Sequence, residues 1–69
     1  MKDKLQLFDV VIFERESKVI DTIAGRNMRF DEGHYNAQRR LGTVLDRLND
    51  RYDADIVPAG KFNKGDKLP

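Results

Sequence analysis

Residues 5–13 read Leu-Gln-Leu-Phe-Asp-Val-Val-Ile-Phe, and this stretch decides the fold. It is rich in β-branched and aromatic residues, which fit the pleated surface of a sheet. Residues 14–17 are polar and fit a short hairpin loop, and residues 18–24 (Lys-Val-Ile-Asp-Thr-Ile-Ala) repeat the strand pattern before Gly25. The pattern therefore predicts two antiparallel strands joined by a tight turn.

A helical pattern follows over residues 32–51, with Asp31 as the expected N-cap. Its apolar residues recur at spacings of three and four, which is typical of one buried helix face. We expect Leu41, Leu45 and Leu48 of this face to be buried against the sheet. The members of the apolar stripe are Ala37, Leu41, Val44, Leu45, Leu48 and Tyr52.

Residues 54–59 (Ala-Asp-Ile-Val-Pro-Ala) predict a third strand. Because Pro58 cannot donate to a ladder, this strand lies at an edge of the sheet or ends at Pro58. The element order β-β-α-β predicts an α+β fold, in which a three-stranded antiparallel sheet of order 2-1-3 carries one long helix on one face. Residues 1–59 are expected to form the single domain, and residues 60–69 a basic, flexible C-terminal tail.

The composition favours binding over catalysis. The 13 basic and 12 acidic residues give a net charge of only +1, unlike the strong basic excess of a dedicated nucleic-acid binder. The chain has no Cys and a single His, His34, so the sequence predicts no disulfide, no metal site and no cofactor. Asp9 and Asp21 form no recognisable catalytic pair, and we expect no enzyme. The most strongly apolar run, residues 10–13, is too short to span a membrane, and a cytoplasmic protein is expected.

Six polar residues are candidates for partner binding. Arg40, Arg47 and Arg51 lie along one flank of the predicted helix, and Asn36 extends this row by one turn. Arg26 and Arg29 lie in the connection that leads to the helix. Such a stripe suits an acidic protein surface or the phosphates of a nucleic acid. A solvated helix face with local pairs such as Arg47 and Asp50 is the alternative.

Strand one carries apolar side chains on both faces. Phe8 and Phe13 point to opposite faces because successive strand residues alternate. One helix covers one face, so we expect the other to bind a partner or a second copy, with Phe8 or Phe13 near its centre. The alternative is that the C-terminal tail covers this face within one chain.

Three segments, FDVVIFERESKVIDTIAGRNM, NAQRRLGTVLDRLNDRYDADIV and PAGKFNKGD, resemble small accessory proteins of tailed bacteriophages and prophages. The resemblance implies a protein that binds and inhibits a bacterial host factor or an anti-phage defence complex, as anti-CRISPR proteins do, in the cytoplasm of the bacterial host. The alternative from the residues is a nucleic-acid-binding accessory domain that uses the arginine stripe and the lysines of the tail.

Overall fold

The computed structural model describes residues 6–30 and 36–69. The elements in chain order are β1 (Phe8–Glu14), β2 (Ile20–Met28), α1 (Ala37–Leu45) and β3 (Tyr52–Pro58). The strands form one sheet of order β2-β1-β3, in which both neighbouring pairs are antiparallel. The predicted α+β fold and its strand order are therefore confirmed.

Both faces of β1 are buried. Val10 and Val11 point to opposite faces of the sheet, and each is 0% exposed. The helix lies on the Val10 face, since Gly25 is paired with Val10 and a Cβ added to Gly25 would lie 3.4 Å from Cγ of Arg40.

The helix buries a narrower part of the apolar stripe than the sequence predicts. Ala37 and Val44 are its buried residues. Leu45 is 42% exposed, while Leu41 and Leu48 are half-buried, so the prediction that all three leucines are buried is wrong. Ala37 and Val44 are seven residues apart, so they lie on one face of the helix and pack against the sheet. Leu45 lies to the side of this face and is exposed to solvent.

The helix is also shorter than the predicted range of 32–51. Its N-cap is Asn36, whose side-chain oxygen accepts the backbone N–H of Arg39 at 2.9 Å, a bond that Asn favours at this position. The chain leaves the helix after Leu45 through tight turns, and the side chain of Asn49 accepts the N–H of Arg51 at 2.9 Å. Such local bonds from Asn compete with helix continuation. Asp31, the expected N-cap, and His34 lie outside the described residues.

Residues 60–69, the segment that the sequence predicts as a C-terminal tail, pack against the sheet face opposite the helix. Leu68 is buried, and the N–H of Leu68 donates to the carbonyl of Lys18 at 2.9 Å. The backbone of Ile20 exchanges bonds of 2.8 Å with Gly65 and Asp66. The expectation of an open sheet face is therefore wrong, because the chain covers this face itself, which was the alternative that the sequence left open. The apolar cluster under the tail comprises Val11, Phe13, Ile20, Val57 and Leu68, with Ile23 and Phe62 packed against it.

The outer edge of β3 has its backbone donors occupied. The carboxylates of Asp53 and Asp55 each accept the N–H of the next residue, Ala54 and Ile56, at 2.8 Å, and Pro58 has no N–H. Ala54, Ile56 and Pro58 alternate along the strand, so their backbone nitrogens face the same edge. The strand at the other edge, β2, departs from regular pairing with β1 at three points. Such features hinder pairing with another chain at both edges of the sheet.

Candidate functional site

The arginine stripe expected along the helix is not formed. Arg40 lies on α1, but α1 ends at Leu45, so Arg47 falls in the connection and Arg51 directly precedes β3. Arg40 and Arg47 are exposed. The stripe depends on a helix that continues to residue 51, and the turns after Leu45 separate its members.

Arg51 is held in a network that joins the β1–β2 turn to β3. Its Nε donates to Oε2 of Glu14 at 2.9 Å, and Oγ of Ser17 donates to Oε1 of Glu14 at 2.6 Å. The Ser17 bond first, and then Arg51, hold the pKa of Glu14 below its ordinary value of 4.5. The same bond to Glu14 raises the pKa of Arg51. The N–H of Arg15 donates to the carbonyl of Arg51 at 2.9 Å, so the network fixes the turn against β3.

A cleft of about 530 Å³ opens beside this network. Its lining mixes both signs of charge, which favours neither a phosphate nor a cation as ligand. The residues that line it are Glu14, Arg15, Glu16, Asp50 and Arg51.

Arg26 lies beside a buried carboxylate. Nη1 of Arg26 is 3.9 Å from Oδ2 of Asp9, a side chain that is 1% exposed. Asp9 also accepts the backbone N–H of Asn27 at 2.9 Å and of Gly60 at 3.0 Å. Asn27 and Gly60 have positive φ values of 53° and 77°, so this carboxylate fixes two unusual backbone positions. The sequence signal for this role is a single acid within an otherwise apolar strand.

The remaining predicted residues are divided between surface and interior. Arg29 is exposed, and its carbonyl accepts the N–H of Ala37 at 2.6 Å. Asn36 caps the helix. Phe13 is 8% exposed under the tail, so it lies in the core and not at the centre of an open face. Phe8 is half-buried, and its ring centroid lies 5.5 Å from that of Phe30, which is 40% exposed.

The outer side of α1 combines apolar and basic side chains. Leu45 is 42% exposed and Leu41 is half-buried, four residues apart on one helix flank. Arg39 is exposed on the outer side of the same helix, and Gly42 lies between it and Leu45. Arg40 is on the opposite flank of the helix, next to Gly25 of β2, and α1 contains no acidic residue. We call Arg39, Leu41 and Leu45 the helix surface. A protein interface commonly has such an apolar centre with an arginine beside it.

The described residues contain no group of three or more His, Asp or Glu side chains placed to hold a metal ion. None of the helices in residues 6–30 and 36–69 is long and apolar enough to cross a membrane. No protein-family model, curated protein or solved structure matches the chain.

Proposed function

We propose that this chain is a small phage-type binding module that inhibits a bacterial host or anti-phage defence complex, such as CRISPR machinery, by stoichiometric binding. The observation that carries the proposal is the helix surface, where Leu45 is 42% exposed on a helix with two arginines and no acid. The resemblance of the sequence to phage accessory proteins supports the choice of a bacterial target.

The chemistry of the helix surface favours an acidic protein partner. An apolar side chain left exposed on a well-covered domain gains free energy when a partner removes it from water, and for Leu45, which is 42% exposed, the gain is about 1 kcal/mol. Arg39 then meets carboxylates on the partner, which favours specific and rapid association. Arg47 is exposed in the connection after the helix and adds a cation near the C-terminal end of α1.

The test is capture of a partner from nuclease-treated bacterial lysate by immobilised wild-type chain. We expect a stoichiometric protein partner, and we expect Leu45→Asp and Arg39→Glu to lose it while keeping the wild-type melting temperature. Lys64→Glu is the matched control, since it makes the same charge change in the tail and should retain the partner. Capture that is seen in untreated lysate but disappears in nuclease-treated lysate would instead indicate a nucleic-acid-binding domain. Binding by such a domain should weaken strongly as salt is added.

A further inference from the structure

The tail leaves an apolar groove open on its own side of the sheet. A groove of about 260 Å³ lies between the tail and β3, and its lining includes Phe13, Val57, Phe62 and Leu68. This volume is below the usual range of sites for small-molecule ligands, about 300–1,000 Å³, and is suited to one large side chain. The groove is on the sheet face opposite the helix surface.

Two lysines stand at the rim of this groove. Nζ of Lys18 lies 5.8 Å from the centroid of the Phe13 ring, and Nζ of Lys61 lies 5.6 Å from that of Phe62. Neither lysine forms an ion pair with an acidic residue of the described ranges. Asp55 also lines the groove, but its carboxylate accepts the N–H of Ile56. The rim therefore carries two ammonium groups and one carboxylate around an apolar floor, and positive charge is in excess.

We propose that this groove binds an acidic peptide segment of a partner protein, with one apolar side chain in the groove and flanking carboxylates on Lys18 and Lys61. The apolar floor accounts for the central side chain, and the two ammonium groups account for the acidic neighbours. The position of the lysines over the aromatic rings holds their charges at the rim. The site goes beyond the helix surface of the proposed function and is separate from it.

The probe is the blocked peptide Asp-Glu-Leu-Glu-Asp, titrated against full-length chain while the NMR methyl signals of Val57 and Leu68 are followed. We expect saturable shifts with a millimolar dissociation constant, since one side chain and exposed ion pairs supply little free energy. The peptide with Ala in place of Leu should bind roughly tenfold more weakly. Raising the salt concentration should weaken both.

Variants locate the contact. The double variant Lys18→Glu/Lys61→Glu should abolish the shifts at an unchanged melting temperature. The double variant Lys18→Gln/Lys61→Gln removes the two charges without reversing them and should weaken the shifts. It provides the test if the reversed charges disturb folding. The double variant Lys64→Glu/Lys67→Glu is the matched control and should bind as wild type. Leu45→Asp should also bind as wild type, which keeps this result separate from the test of the proposed function. Absence of shifts, equal binding of a Lys-Arg-Leu-Arg-Lys peptide, or shifts produced by decanoate but not by the acidic peptide would each overturn the proposal.

Discussion

At the scale of single residues, Asp9 connects parts of the chain that are distant in sequence. Its buried carboxylate accepts N–H groups from Asn27 and Gly60, 18 and 51 residues away. Asp9→Ala removes both bonds, and a hydrogen bond to a charged group contributes about 1.5–3 kcal/mol. We expect a loss of about 3 kcal/mol in the free energy of unfolding, measured by urea denaturation. Asp55→Ala, which removes an exposed local bond, should change it by less than about 0.5 kcal/mol, and equal losses in the two variants would refute the role of Asp9.

Glu14 gives the residue-scale prediction for pH. Its pKa is lowered in the folded chain, so its bonds stabilise the fold above its ordinary pKa of 4.5. That contribution is lost as the pH falls through the lower folded-state pKa. We expect the stability difference between wild type and Glu14→Gln to be constant above about pH 5 and to shrink in more acidic solution.

An NMR titration of the Glu14 carboxyl checks the cause of this shift. The Ser17 bond is the largest contribution and the Arg51 bond the next. Ser17→Ala should therefore raise the midpoint toward the ordinary value, and Arg51→Gln should raise it by a smaller amount. A midpoint unaffected by either substitution would contradict the network.

At the scale of elements, the helix is stabilised by its cap and by a narrow buried flank. Val44→Ala removes two buried methyl groups and should cost about 2 kcal/mol, whereas Leu45→Ala at an exposed position should cost less than about 1 kcal/mol. Asn36→Ala removes the capping bond to Arg39 and should cost about 1 kcal/mol. Thermal denaturation of the three variants tests this order. A larger loss for Leu45→Ala than for Val44→Ala would instead support the helix orientation that the sequence pattern predicts, with Leu45 against the sheet.

The elements themselves follow from local sequence, which is why their order was predictable. Alternating and β-branched residues identify the strands, and the helical spacing identifies α1. The helix ends are less visible because Asn36 and Asn49 act through single bonds to nearby backbone. Any polar residue near a helix end could in principle make such a bond.

The candidate site was harder to predict, because it depends on those same helix ends. The row of Arg40, Arg47 and Arg51 exists only on a helix that reaches residue 51. Leu45 was expected to be buried for the same reason, because that expectation came from the apolar stripe of the longer helix, whereas Leu45 is exposed. The packing of the tail depends on Leu68 joining the apolar cluster that contains Val11 and Phe13, which no local pattern encodes.

At the scale of the whole molecule, the described part of the sheet has little surface left for association. One face carries α1, and the other is covered by the tail. The donors on the outer edge of β3 are occupied, and β2 is irregular. Binding is therefore directed to the exposed side of the helix and to the groove beside the tail.

The tail itself provides the last prediction. In a chain that ends at Lys64, the bonds to Lys18 and Ile20 are absent, and so is Leu68, whose burial is worth about 1.5–3 kcal/mol. That is a large fraction of the roughly 3–5 kcal/mol that so small a core supplies. The uncovered face, centred on Val11, Phe13 and Ile20, should then self-associate.

Light scattering should show a monomer for the full-length chain and larger species for the shortened one. The melting temperature of the shortened chain should rise with protein concentration, because association stabilises the folded state. Leu68→Met, which conserves the volume of the anchor, should remain monomeric. If the shortened chain is monomeric and melts as the full-length protein does, the tail contributes neither cover nor stability.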